Sequence, residues 1–398
     1  MTRNISKIAG FTAAAVKGGI RGKDRLDIGM IFADKPAVTV GVFTTNLVKA
    51  APVLLAIERL QSGKCQAVVV NSGIANACTG EQGIQAAKET ARLAAEKLGI
   101  DPELVLVSST GVIGEQLDMS CFEKSMAVLV ENLSEDGFTD FSRAIMTTDT
   151  VPKTAIATCG LNGAAVTLYG VAKGSGMIKP NMATMLAFVM TDAVLPVDLM
   201  QEMLGTEADT TFNAITVDGD TSTNDTVLLM ASGAAGNPPV GKGSEAAENF
   251  RKALHDVLND LALQIVKDGE GATKFITLRV KNAQTRDEAR KAADTVAESK
   301  LVKTAFFGED ANWGRIIGAL GRSGARFDPN KVDISFDNVM MVKDGLGKGK
   351  DAEEKASQIL KQNEFIVTID LKAGNHSFEY YTCDLSIDYV KINADYRT

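Results

Sequence analysis

The stretch GAAVTLYGVAKGSGMIKPNMATMLAFVMTDA (163–193) decides the fold. Asn162-Gly163, at its start, is a hairpin signal, because a tight two-residue turn needs positive φ at its centre. AAVTLYGVA then reads as a strand that delivers Lys173 to its end. GSGMIKP follows, glycine-rich and closed by Pro180, which pushes the residue before it toward extended geometry. A stiff loop is expected there, and a second strand is expected to begin at Thr184.

Outward from this point, strand-like and helix-like segments alternate along the whole chain. VTVGVFTT, CQAVVVNS, LVLVSST, TAIATC, DTVLLMAS, FITLRV, KVDISF, FIVTIDL and SFEYYTCDL are strand-like runs bounded by turn residues. Apolar residues at helical spacing predict helices over 81–98, 120–133, 197–212, 245–266, 286–300 and 351–361. Asp198 and Asp287 suit first helical turns, where the positive end of the peptide dipoles favours an acid. No repeat of fixed period appears. This alternation predicts a layered α/β fold with mixed sheets. A core over 1–280 and a smaller C-terminal α/β domain over 281–398 are expected, with the boundary after FITLRV. The glycine- and proline-rich stretch 231–246 reads as an exposed excursion.

Composition narrows the function classes. The 398 residues are 45% hydrophobic, ample for packed cores. A net charge of −8 and a pI of about 5.1 argue against nucleic acid, whose binding rests on a basic footprint. Cys65, Cys78, Cys121, Cys159 and Cys383 are odd in number, widely spaced and never in a C-x-x-C pair. That predicts a reducing compartment, with neither a disulfide framework nor a zinc site. The first residues, MTRNISKIAGFTAAAVKGG, are too polar for a signal peptide. No window approaches the ~18 apolar residues of a membrane span. A cytoplasmic protein without nucleic-acid or membrane partners and without a metal or other cofactor is expected.

Several motifs resemble chemistry only in part. GNPPVGKG (236–243) departs from a phosphate-binding loop at Gly243, where a magnesium-binding Ser or Thr is required. Gly111 and Gly114 in STGVIGEQL (109–117) lack the rest of a dinucleotide fingerprint. TVDGDTSTNDT (216–226) carries Asp218, Asp220 and Asp225 but no closing glutamate for calcium, so it reads as a hydrogen-bonded polar turn. His255 and His376, the only histidines, have no motif around them. A serine or cysteine machine needs an imidazole base, so acyl chemistry here calls for another base.

Ala183–Thr184 offers one. A threonine hydroxyl beside a strained peptide can attack the preceding carbonyl, and hydrolysis of the resulting ester leaves a chain that begins with threonine. The freed α-amine has a reference pKa of about 7.7–8.0 and can take the hydroxyl proton itself. An Ala-Thr pair at the start of a strand is structural in most proteins, and the spacing alone leaves both readings open.

VAKGSGMIKPNMATMLAFVMTDA resembles the signature of the ornithine acetyltransferase family of arginine biosynthesis. GFTAAAVKGGI, VGVFTTNLVKAAPV, VVNSGIANACTG, VSSTGVIGEQL, MTTDTVPK, FNAITVDGDTSTNDT, DGEGATK, GEDANWGRIIGALGRSG and YVKINADYRT resemble that family in the same order. The resemblance implies a sandwich core like that of N-terminal-nucleophile enzymes. It implies self-cleavage into an α chain, 1–183, and a β chain, 184–398, assembled as α2β2. It implies transfer of acetyl from N-acetylornithine to glutamate through an ester on Thr184, with acetyl-CoA a second donor in some members. Carried over residue by residue, Thr110 and Gly111 form the oxyanion hole. Thr147, Lys173, Thr184, Glu270, Asn393 and Thr398 bind substrate, the C-terminal domain lending the chain end to the site. The competing expectations are an N-terminal-nucleophile aminopeptidase or amidohydrolase of related fold, and a small-ligand binding protein without chemistry.

Overall fold

The structure is a computed structural model that describes residues 7–22, 24–179 and 185–395; Ala183, Thr184 and Thr398 lie outside the described residues. Strands β1 (Phe11–Val16), β2 (Ile28–Phe43), β3 (Lys64–Ile74), β4 (Val105–Val112), β5 (Lys153–Leu161), β6 (Ala164–Lys173), β7 (Leu186–Thr191), β8 (Ile215–Thr216) and β9 (Thr226–Ala231) come first in the chain. β10 (Phe275–Ala283), β11 (Asp333–Phe336), β12 (Val339–Lys343), β13 (Leu346–Gly347), β14 (Glu364–Asp370) and β15 (His376–Cys383) follow. The chain divides into two compact units. One holds the residues up to Asn213 together with Asp220–Ile265, and the other holds Ala214–Gly219 together with the residues from Val266 to the last described position.

The first unit is a mixed sheet in the order β4-β3-β2-β9-β7-β6-β5, with β1 paired to β2. β3 and β4 run parallel, because the helix Gly80–Leu98 returns the chain to the same end of the sheet. β7 and β9 are likewise parallel and are separated by the helix Val197–Thr210. The β5–β6 hairpin turns on Asn162 and Gly163, at φ 49° and 94°, as the sequence predicts. Alternation then sorts side chains between two faces. Val68, Val70 and Leu106 join Phe11, Phe138, Phe141 and Phe188 on one. Ala67, Val69, Val105 and Val107 meet Ala91, Phe122 and Met126 of the covering helices on the other. Each buried phenyl contributes about 1.5–3 kcal/mol. The helix Glu245–Lys267 comes close to β6 at Gly170, where a Cβ would stand 2.7 Å from Val257 and 2.8 Å from Leu261.

The second unit is a sheet in the order β13-β12-β11-β14-β10-β15-β8. β10 pairs parallel with β14 and antiparallel with β15. The helix Arg286–Ala297 begins at Thr285, whose hydroxyl accepts the Glu288 N–H. Its Ala289, Ala292, Ala293 and Val296 pack with Ile276, Leu278 and Val280 of β10. FITLRV, the run that precedes the expected boundary, is part of β10 and belongs to this unit.

Candidate active site

In the first unit several strand ends and loops converge. β4 ends on Ser108, Ser109, Thr110 and Gly111, with both serines and Thr110 buried. Gly111 sits opposite Gly73 of β3, at φ 134°. A Cβ on Gly111 would lie 2.2 Å from the Gly73 carbonyl carbon and 2.6 Å from the Ile74 nitrogen. Only glycine fits at this position.

Lys173, the last residue of β6, is buried and donates to the Thr110 hydroxyl at 3.3 Å. Lys173 also pairs across the sheet with Leu186, and Leu186 pairs on its other side with Thr226. The first described residues of β7 therefore lie between the end of β6 and the start of β9. Met185, just before them, accepts the Thr226 N–H through its carbonyl.

The loop before β9 ties these ends together. Asn224 donates through Nδ2 to the Ala75 carbonyl at 2.6 Å and to the Ser109 carbonyl at 2.7 Å. Its amide oxygen accepts the Thr223 hydroxyl at 2.6 Å. Ser109 donates in turn to Asn71 at 2.7 Å. The polar turn predicted over 216–226 thus joins the ends of β3 and β4 to the start of β9.

Two buried carboxyl groups flank Lys173 and behave oppositely. Asp149 takes the Lys153 ammonium at 2.7 Å and the N–H groups of Gly174 at 2.7 Å and Thr147 at 2.9 Å. Burial opposes its charge, but Lys173, Lys153 and these donors outweigh burial and pull its carboxyl down to about 2. Asp225 has less help. Burial pushes its carboxyl well above the usual range, and Lys173, the Met185 N–H and the Ser222 hydroxyl offset this only in part. Its Oδ2 is buried with no hydrogen-bond partner among the described residues.

Thr147 is buried within the Asp149 group, and its carbonyl accepts from Arg21 at 3.0 Å. Glu270 and Asn393 meet in the second unit, where the Asn393 amide donates to the Glu270 carboxylate at 2.7 Å. Gly271 explains the closeness of that helix. At φ 65°, a Cβ there would stand 2.4 Å from the Tyr389 nitrogen in the helix Ile387–Asp395. The structure therefore joins Thr110 to Lys173, Thr147 to Asp149, and Glu270 to Asn393. His255 is a packing histidine, with Nδ1 at 2.9 Å from Glu207. Sequence reasoning misses Asp149, Lys153 and Asn224 and reads Asp225 only as part of a polar turn, although MTTDTVPK and FNAITVDGDTSTNDT both contain a signal in their unusual polarity. Among the described residues no group of three or more His, Cys, Asp or Glu is placed to hold a metal. No described helix is long and apolar enough to cross a membrane.

Because Asp149 is depressed below its ordinary value of 3.8, its contribution to stability is full above about pH 4 and is lost as pH falls through about 2. Asp149→Asn removes the negative charge that faces the fully buried Lys153 ammonium. It is expected to cost about 3–5 kcal/mol at neutral pH, read by denaturant unfolding. An unchanged unfolding midpoint would show that the pair does not support the fold.

These features define a layered α/β enzyme whose buried lysine lies against a threonine-glycine strand end. The ArgJ family model matches residues 12–398. Arginine biosynthesis bifunctional protein ArgJ of Desulfotalea psychrophila is 56% identical over 392 residues, which are 98% of this chain and 100% of that protein. The protein of the same name from Geobacter sulfurreducens is 52% identical over 391 residues, 98% of this chain and 100% of that one. A crystal structure of the arginine biosynthesis bifunctional protein argJ from Bacillus halodurans is 44% identical with a TM-score of 0.52. It covers 54% of this chain and 100% of the solved one. The chain belongs to the ArgJ family.

Proposed function

We propose that this chain cuts itself after Ala183 and uses the freed Thr184 to carry acetyl from N-acetylornithine to glutamate. The chain is an acetyltransferase of arginine biosynthesis, and the self-made nucleophile is the part that needs testing. One observation carries the proposal: Leu186, two residues after Thr184 in sequence, pairs with Lys173, and Lys173 donates to Thr110. A nucleophile two residues ahead of β7 would then draw on a hydroxyl and a glycine backbone suited to a developing oxyanion. Such donors are each worth about 10²–10³ in rate. One other feature supports the reading: the Ala183–Thr184 chemistry needs no imidazole, and His255 is occupied with Glu207.

In this account Lys173 and Thr147 hold the α-carboxylate of the substrate. Glu270, oriented by Asn393, receives the cationic end of ornithine, and Thr398 closes the site. The fragments 1–183 and 184–398 remain together as α2β2, in the cytoplasm and without a cofactor. Acetyl-CoA is a second donor, in keeping with a bifunctional enzyme.

Steady-state transfer to glutamate tests both donors. N-acetylornithine is expected to support turnover, and acetyl-CoA to support it separately. Release of acetate to water with neither donor able to acetylate glutamate would favour the aminopeptidase-like alternative. Lys173→Ala is expected to raise KM for N-acetylornithine at least about tenfold, one lost charged contact being worth about 1.5–3 kcal/mol. Unchanged kinetics would remove Lys173 from the site.

A further inference from the structure

The proposed reaction uses Thr110 and Gly111 but gives no work to Asn224. β4 is the outermost strand of its sheet, so ladder bonds reach its end from β3 alone. A strand end held on one side is a poor platform for a group that must stay in place. Asn224 supplies a second hold. It is buried, and both N–H bonds of its amide are spent on backbone carbonyls, Ser109 of β4 at 2.7 Å and Ala75 just beyond β3 at 2.6 Å. Only the nitrogen side of an amide can serve two acceptors. The oxygen side takes the buried Thr223 hydroxyl at 2.6 Å, which fixes the orientation of the group. The loop itself is anchored. The Asn224 N–H donates to the Ser222 hydroxyl at 3.1 Å, and the Thr223 carbonyl accepts the Ala50 N–H at 2.9 Å.

The place where Asn224 grips β4 is specific. The Ser109 carbonyl and the Thr110 nitrogen belong to one planar peptide unit. Holding the carbonyl fixes that plane, and the plane restricts the direction in which the Thr110 side chain projects. The Ser109 side chain is held as well, since its hydroxyl donates to Asn71 at 2.7 Å, and Asn71 donates to the Ile74 carbonyl at 2.9 Å. A tie that served only the fold could land on any carbonyl of β4. This one lands on the carbonyl whose peptide unit carries Thr110, and Thr110 is the acceptor of Lys173.

We propose that Asn224 is a positioning residue that holds the Thr110 hydroxyl in the direction acetyl transfer requires. This rests on the reading of Thr110 as an oxyanion donor. Asn224 acts through the Ser109–Thr110 peptide unit, with the Thr223 hydroxyl keeping its amide turned the right way.

Asn224→Asp keeps the shape of the side chain but has at most one proton for two carbonyls. It is expected to slow acetyl loading from N-acetylornithine, followed without glutamate, by about 10- to 100-fold, part of the 10²–10³ lost when an oxyanion donor is removed outright. KM and the fraction of chains finally loaded are expected to stay near wild type. A tie that serves only the fold would instead lower the loaded fraction and the melting temperature, and would leave the rate per competent chain unchanged. Thr223→Val removes only the hydroxyl that orients the amide, and is expected to slow loading by about 2- to 10-fold, the worth of one neutral hydrogen bond. It carries the test if Asn224→Asp does not fold. In a Thr110→Val chain there is no hydroxyl left to aim, so either change is expected to cost at most about twofold more, where independent sites would multiply. Wild-type loading rates in Asn224→Asp and Thr223→Val, a loss confined to the loaded fraction, or effects that multiply fully with Thr110→Val would overturn the proposal. A Thr110→Val chain that loads at the wild-type rate would instead remove the reading on which it rests.

Discussion

Thr184→Ala is expected to leave the chain in one piece and without acetyl transfer. On the proposed reading the substitution removes the oxygen that attacks Ala183, so no ester forms and no new N-terminus appears. It also removes the atom that would carry acetyl, so turnover is lost for a second reason. Removal of a nucleophile from a comparable acyl-transfer machine lowers kcat on the order of 10⁶-fold. Thr184→Ser keeps an oxygen and an amine on the same residue, and is expected to retain part of both activities. A denaturing gel and a transfer assay read the two losses independently. Transfer by an uncut Thr184→Ala chain would place the nucleophile elsewhere.

Gly111→Ala is expected to lower transfer by at least about 10²-fold, the typical loss of one oxyanion donor. The geometry is restrictive on two counts. The backbone is at φ 134°, where a side chain is strained, and the new Cβ would fall 2.2–2.6 Å from backbone atoms of Gly73 and Ile74. β3 and β4 must separate at this register to admit it, and Thr110 moves with them. Thr110→Val separates the hydroxyl from the packing, because it removes the acceptor of Lys173 while leaving Gly111 in place. It is expected to reduce kcat by a similar factor with little change in melting temperature. Wild-type kcat in both variants would exclude this strand end from the reaction.

Much of the scaffold is legible in the sequence. The helix Gly80–Leu98, predicted over 81–98, contrasts a charged face with a run of buried alanines. Glu245–Lys267, predicted over 245–266, behaves in the same way. β6 and β7 are legible because they are long, apolar and separated by glycine and proline. The elements that escape are short or low in contrast. Phe11–Val16 is half alanine, and its pairing with β2 fixes it as a strand. The first half of β2 runs into Asp34, Lys35 and Pro36, which read as a turn but lie at a register shift within one strand. The helix Trp313–Leu320 is glycine-rich, and its Asn312 cap is visible only once the chain is folded.

The site divides in the same manner. Lys173 and Thr110 stand at strand ends that periodicity can find, and the resemblance to a known family names them. Asp149, Asn224 and Asp225 look like turn residues, because Asp and Asn are the usual residues of turns. Their burial comes from strands that meet from distant parts of the chain. Asn224 reaches carbonyls 149 and 115 residues away, a relation that no local pattern encodes. The difference between the two aspartates is likewise tertiary, since it depends on which of them faces Lys153.

The central claim is that the chain makes its own nucleophile and loads it with acetyl. Mass spectrometry of the wild-type protein, incubated with N-acetylornithine in the absence of glutamate, tests it in one measurement. The account predicts two polypeptides, 1–183 and 184–398, with a single acetyl group on Thr184 of the second. An intact chain of 398 residues, or an acetyl group on any other residue, would contradict it.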